Sequence, residues 1–256
     1  MNDRPLFLSL FRGIGLLDSG FQAAWPEASV VCGPDVIWGS DARDFHVPAG
    51  VFDGCFGGPP CQLFSRLRYL SPSAGQKHGN MIPEFERIVA ESRAAWFLME
   101  NVPEAPAPRI QGYWPPQELI LNNRWLGEIQ ERTRRFSFGM RCDLAPVNLD
   151  ISPDLVSFEN PVYRPAVTSS LRDVSDRMGE NGRPKRTYRA DGTRNGPDTG
   201  KRAALSEMCE LQGLPPNYLD EMPFTMAGKR QLIANGVPYR MAFALARAVR
   251  RALEQS

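Results

Sequence analysis

The stretch Gly57-Gly58-Pro59-Pro60-Cys61-Gln62 constrains this chain more than any other. The run before it, Val51-Phe52-Asp53-Gly54-Cys55-Phe56, is short, mostly apolar and bounded by glycines, which is the pattern of a buried strand. Two glycines let the backbone turn sharply and come close to something bulky. Two prolines then fix φ and remove two donors, so a stiff, non-helical loop follows the strand. Open α/β sheets bind ligands at the carboxyl ends of their strands, and Cys61 stands at such an end. A thiol there is either a nucleophile or a small buried hydrophobe in a plain turn.

The chain opens in a compatible way. Leu6-Phe7-Leu8-Ser9-Leu10-Phe11 reads as a first buried strand, Arg12-Gly13-Ile14-Gly15 as a glycine turn, and a helix follows to about Ala24. Strand, glycine turn and helix suit a nucleoside cofactor, although many tight turns share the pattern. Ala28 to Cys32 reads as a second strand, and Asp35 comes 20 residues after Gly15. An acid at that distance takes ribose hydroxyls or closes a turn. Asp41 receives an adenine amino group or caps a turn of its own. A crossover between parallel strands needs about a dozen residues, yet only Val36 to Ser40 separate Asp35 from Asp41. A helix is therefore expected to be missing here, with or without an edge strand.

Beyond Cys61, Ser65 to Met81 is polar and basic, as lids beside sites often are. Ile82 to Ala94 reads as a helix. Ala95 to Met99 is the next strand, ending in Glu100-Asn101-Val102-Pro103. Glu100 is placed either as a partly buried carboxyl with a raised pKa or as a turn cap. Gln130, Arg132 and Arg134 alternate at the period of a strand and share parity with Phe136 and Phe138. Planar guanidiniums on one face suit a base edge or a phosphate; the alternative is a solvated charged edge. From about Leu144 to Arg202 periodicity disappears. Residues 164–202 hold ten Arg and Lys against five Asp and Glu, a net +5. Arg183, Lys185, Arg186 and Arg189 interleave with Tyr188, as a phosphate- and groove-contacting loop does, or merely a solvated surface. A short helix with a glycine stop returns at residues 203–215. Asn235-Gly236-Val237-Pro238 precedes a last helix with Met241, Leu245, Ala248, Val249 and Ala252 as its buried stripe.

Composition narrows the classes. The 256 residues suit one domain, or one domain with a small satellite. No run approaches the ~18 apolar residues of a membrane helix, and the N-terminus lacks a signal-peptide pattern. Five scattered cysteines without CxxC, and two histidines, argue against a zinc site and for a reducing, cytoplasmic setting. The net charge of +1 means that any nucleic acid must meet a local patch.

In this order the pieces resemble the DNA (cytosine-5)-methyltransferases. Phe11-Arg12-Gly13-Ile14-Gly15 is similar to the family's cofactor motif, and Gly57 to Gln62 to its Pro-Pro-Cys-Gln loop. Glu100-Asn101-Val102, Gln130-x-Arg132-x-Arg134, Leu211-Gln212-Gly213 and Asn235-Gly236-Val237-Pro238 are similar to its later motifs. The resemblance implies an α/β fold, a doubly wound, mostly parallel Rossmann-like sheet, with a small irregular target-recognition insertion. Residues 1–143 would form the catalytic S-adenosylmethionine-binding part, 144–202 the recognition region, and 203–256 a return to the catalytic domain. It implies methylation of cytosine C5 in double-stranded DNA by a monomer without metal, after base flipping. Cys61 would be the nucleophile towards C6, Glu100 the partner of N3, Arg134 of O2, and Arg132 would orient the loop. Phe11, Gly13, Gly15, Asp35, Asp41, Pro60, Asn235 and Val237 would hold S-adenosylmethionine. Gln62, Ser65, Arg183, Lys185, Arg186 and Arg189 would meet DNA. Three positions depart: Ser9 where the family usually has Asp, Leu16 where it has Gly, and Arg12 where it has a small residue. A non-catalytic DNA-binding relative and a tRNA cytosine methyltransferase remain as other readings.

Overall fold

The computed structural model describes residues 4–64, 79–155, 162, 164–169 and 203–255. Four strands run parallel to one another: β1 (Leu6–Leu10), β2 (Ser29–Cys32), β3 (Gly54–Gly57) and β4 (Trp96–Asn101). Two more, β5 (Gln117–Asn122) and β7 (Thr133–Met140), complete a six-stranded sheet in the order β2-β1-β3-β4-β7-β5, with β7 antiparallel to both of its neighbours. β6 (Gln130–Glu131) and β8 (Arg164–Pro165) make a separate two-stranded pair.

Side-chain alternation sorts the sheet into two buried faces. Phe7, Phe56, Trp96, Leu98, Phe136 and Phe138 pack against α1 (Leu16–Ala24) and α5 (Tyr239–Glu254). Leu8, Leu10, Cys55, Phe97 and Met99 pack towards α2 (Ile82–Ser92). Burial on both faces is why the central strands read as unbroken apolar runs. Phe21 stacks on Phe56 at 4.1 Å between ring centres and fixes α1 over β3. Truncating either ring to Ala is expected to cost about 3–5 kcal/mol. A third cluster joins α3 (Leu205–Leu211) and α4 (Met226–Asn235) to Ile14 and Leu16 at the start of α1.

The register brings the functional turns together. Leu10 aligns with Gly57, and Gly57 with Met99, so the chain leaves β1, β3 and β4 at adjacent points on one edge. As expected, no α-helix separates β2 from β3. Two single 3₁₀ turns, Val36–Trp38 and Ala42–Asp44, fill the crossover, and β2 is left as the sheet edge. Asp35 and Asp41 start them by accepting from the backbone N–H of Ile37 and Arg43.

One expectation is corrected. Gln130 to Arg134 is not one strand: β6 pairs with β8, β7 joins the main sheet, and Arg132 lies at the break. β5, which the sequence patterns did not single out, covers the far side of β7. Residues 144–155 lie against α5. Leu149 and Ile151 join the α5 cluster, and Asp154 accepts from Arg251 at 2.5 Å. Among the described residues, no helix is long and apolar enough to cross a membrane, and no group of His, Cys, Asp and Glu is arranged to hold a metal ion.

Candidate active site

The turns after β1, β2, β3 and β4 enclose a cavity of about 530 Å³, within the range of small-molecule sites. Cys61, Gln62, Glu100 and Arg134 line it, together with Phe11, Gly13, Asp35, Asp41, Pro60, Asn235 and Val237. Eleven of the residues singled out from sequence thus line one cavity.

On the β3–β4 side, Cys61 ends the Pro-Pro loop. Asn101, at the end of β4, donates from Nδ2 to the Pro59 carbonyl at 3.2 Å and so ties that loop to the neighbouring strand. Beside it Glu100 is buried and accepts from Arg134 Nε at 2.8 Å. Gly58 allows this approach, because a Cβ there would stand 2.7 Å from Glu100 Oε2. Burial pushes the Glu100 carboxyl up, and the charges of Arg134 and Arg132 counter only part of that. Burial also pushes the Cys61 thiol up, the Glu100 charge adds to the rise, and Arg134 and Arg132 oppose it. The resting loop therefore carries a thiol at neutral pH. Its deprotonation is favoured when Glu100 holds a proton, since the opposing carboxylate charge is then gone.

Arg132 does not line the cavity. Its Nη1 donates to Val167 O at 3.3 Å and its Nη2 to Ala234 O at 2.8 Å. Burial and the nearby Arg134 charge push its guanidinium down to about 9, so it still carries its proton at neutral pH. These bonds tie the neighbourhood of β8 and the end of α4 to the site. Gln130 has a similar part: its Nε2 donates to Leu211 O, while Gln212 Nε2 donates to Ile233 O at 2.7 Å.

On the β1–β2 side the wall is made of backbone. Phe11 sits at φ 52°, a strained position for a large side chain. Gly13 follows at φ 59°, and a Cβ there would meet nothing within 4 Å, so its missing side chain leaves a cradle open to a ligand. Asp35 Oδ2 accepts from Gly13 N at 2.8 Å, and Trp38 Nε1 donates to Gly13 O at 2.8 Å. Trp38 in turn meets Phe224 edge to face at 5.3 Å. Gly15 stands off the cavity; it makes the left-handed turn that starts α1. Ser9 is buried, and its Oγ donates to Asp18 Oδ1 at 2.5 Å, while Arg12 Nε donates to Asp18 Oδ2 at 2.8 Å. Asp18 escaped the sequence reading because an acid in the first turn of a helix is ordinary. Trp38 and Phe224 escaped because neither lies in a motif.

The model of the C-5 cytosine-specific DNA methylase family matches residues 37–201, more than half of the chain. The chain belongs to that family. The Neisseria gonorrhoeae type II methyltransferase M.NgoPII is 31% identical over 170 residues, which cover 54% of this chain and 48% of that protein. M.FnuDI of Fusobacterium nucleatum, also a type II methyltransferase, is 30% identical over 197 residues, 66% of this chain and 55% of its own. The chain spans about half the length of the curated relatives it matches. In fold it resembles the Entamoeba histolytica methyltransferase EhMeth, with TM-score 0.60 at 12% identity over 98% of this chain and 99% of that one. The expected DNA contacts Ser65, Arg183, Lys185, Arg186 and Arg189 lie outside the described residues.

Proposed function

We propose that this chain transfers a methyl group from S-adenosylmethionine to C5 of cytosine in double-stranded DNA. The observation that carries the reading is the meeting, in one cavity, of Cys61 on its stiff loop with the buried Glu100–Arg134 pair and the open Gly13 cradle. Phe11, Gly13, Asp35, Asp41, Asn235 and Val237 hold the cofactor, and Gly15 shapes the turn beneath it. Bound there, S-adenosylmethionine supplies an electrophilic methyl group.

The chain's own residues make cytosine reactive. Its C5 is a poor nucleophile until something adds to C6. The Cys61 thiolate forms a bond to C6, the C5=C6 electron pair shifts to C4–C5, and the C4=N3 pair moves onto N3, which takes up charge. Protonated Glu100 donates to N3 and disperses that charge. Arg134 holds Glu100 in place and reaches O2. C5 then bonds to the methyl carbon that the cofactor would supply, with S-adenosylhomocysteine as the leaving group, and N3 returns its proton to Glu100. The C5 proton passes to solvent, its electron pair re-forms C5=C6, and the Cys61–C6 bond breaks to release the thiolate. Glu100 opposes the thiolate when ionised and assists the ring when protonated, so one proton serves both groups. The target atoms are hidden in a duplex, so the base is flipped into the cavity. Gln62 and Ser65 contact it beside the loop, and residues 144–202, with Arg183, Lys185, Arg186 and Arg189, meet the duplex. The protein acts as a monomer on DNA inside the cell.

The test uses duplex DNA carrying 5-fluorocytosine in its target. Loss of the C5 proton is then impossible, and wild type should be trapped covalently in the presence of S-adenosylmethionine. Labelled methyl transfer to DNA is expected, and transfer to tRNA is not. Transfer confined to tRNA would replace the substrate, and absence of both trap and transfer would end the enzymatic reading.

A further inference from the structure

Among the described residues, three arginines contribute to the cavity wall: Arg12, Arg43 and Arg134. Two of them are paired within the wall itself. Arg134 binds Glu100 at 2.8 Å and donates to the Thr133 carbonyl. Arg43 binds Asp41 at 3.0 Å and donates to the Met81 sulfur. Their charges are offset where a ligand would meet them. Arg12 is held differently. Its acid, Asp18, is buried and is not part of the wall. That acid takes only the Nε donor, and its other oxygen is occupied by Ser9. Among the described residues neither Nη atom of Arg12 has a hydrogen-bond partner. Nη2 lies over Gly15, 2.9 Å from where a Cβ would be. The guanidinium is thus anchored through Nε to a buried acid behind the wall, while Arg12 itself lines the cavity.

We propose that Arg12 binds the carboxylate of the cofactor's amino-acid arm. The proposal rests on the methyl-donor reading above. The sulfonium of S-adenosylmethionine carries three groups: the nucleoside, the methyl and a four-carbon arm ending in an ammonium and a carboxylate. With the nucleoside at Asp35 beyond β2 and the methyl directed to the base at Cys61 beyond β3, the arm has the end of β1 between them. That is the position of Arg12, since β1 lies between β2 and β3 in the sheet. A carboxylate leaving water needs a cation, and a planar fork meets its two oxygens in parallel. Asp18 fixes the orientation of the fork, so little side-chain freedom remains to be lost on binding. Asp18 is a positioning residue here, and Ser9 holds it.

The test compares two adenosyl ligands by calorimetry. S-adenosylhomocysteine keeps the carboxylate arm, and 5′-methylthioadenosine lacks it. Arg12→Gln retains a donor for Asp18. It is expected to weaken S-adenosylhomocysteine by about tenfold and to leave methylthioadenosine within about twofold of wild type. Unchanged methylthioadenosine binding also reports an intact pocket. Equal losses on both ligands would make Arg12 a structural residue only, and an unchanged S-adenosylhomocysteine affinity would put the carboxylate elsewhere; either overturns the proposal and leaves the methyl-donor reading standing. Failure of wild type to bind either ligand would overturn that reading, and this inference with it.

Discussion

Around β3 and β4 the site is built on a buried side-chain pair with shifted proton affinities, whereas around β1 and β2 it rests mainly on backbone contacts and on an acid behind the wall. Glu100 and Arg134 form a direct pair at 2.8 Å, and both Glu100 and Cys61 are pushed away from their ordinary proton affinities. Asp35, by contrast, accepts from two backbone N–H groups, and Asp18 from Ser9 and Arg12. The first side stores electrostatic tension and the second stores shape. Chemistry needs particular groups with shifted pKa values, so their identities are fixed. A binding surface needs a contour and a few donors, which different residues can supply. This is why the departures at Ser9, Arg12 and Leu16 fall on the β1 side.

The largest effect that tests this contrast is expected at Cys61. Cys61→Ala should lower methyl transfer by about 10⁴-fold or more, while S-adenosylhomocysteine binding stays near wild type. Turnover by this variant would break the division between the two sides.

Glu100→Gln comes next, with a rate loss of about 10²–10⁴-fold. Two further measurements separate its roles. Removing the carboxylate charge should lower the pH at which Cys61 alkylates, followed by mass spectrometry of the Cys61 peptide, because that charge raises the thiol. Stability should also respond. A carboxyl held above its ordinary value contributes stability that is present below about pH 4.3 and is lost as pH rises through the raised value. Gln carries no such loss, so wild type should fall relative to Glu100→Gln over that window in thermal unfolding. A constant difference would mean that Arg134 fully offsets burial.

Arg132→Met probes the tie beneath both sides. It leaves the carbonyls of Val167 and Ala234 without their donors, and a loss of about 3 kcal/mol is expected in denaturant unfolding. A loss of activity at unchanged stability would return Arg132 to the chemistry.

What the sequence made legible follows the same division. The central strands were readable because burial on both faces leaves continuous apolar runs, and Cys61 and Glu100 because their turns end those runs. The missing helix after β2 was readable from chain length alone. The break at Arg132 was not: alternation continues across it, and only the pairing of β6 with β8 interrupts the strand. Asp18 was not legible either, because its partners Ser9 and Arg12 lie nine and six positions away and meet it only through the turn of the chain. β5 carries Glu118 and Ile120 on its exposed positions, and this mixed pattern hid it.

On the binding side Asp35→Ala should weaken S-adenosylhomocysteine by about 1–2 kcal/mol, by releasing Gly13 and removing a ribose acceptor together. Calorimetry showing unchanged affinity would leave Asp35 as a turn residue alone.

The smallest net effect is expected of an exchange between Ser9 and Asp18. The family usually places an acid at position 9, and this chain carries its acid on the facing turn of α1, 2.5 Å from the Ser9 hydroxyl. If the site needs one carboxylate there and not a particular residue, the acid can move. Ser9→Asp alone sets two carboxylates side by side in a buried place, with one guanidinium between them, and one must protonate or the packing must open. It should cost about 1–3 kcal/mol. Ser9→Asp with Asp18→Ser restores one acid and one hydroxyl in exchanged positions, with Arg12 still beside them. The double variant should recover at least about 1 kcal/mol of that loss and bind S-adenosylhomocysteine better than the single variant does. Additive losses would show that the helix position of Asp18 matters in itself, and the β1 side would then be as particular about its residues as the β3–β4 side.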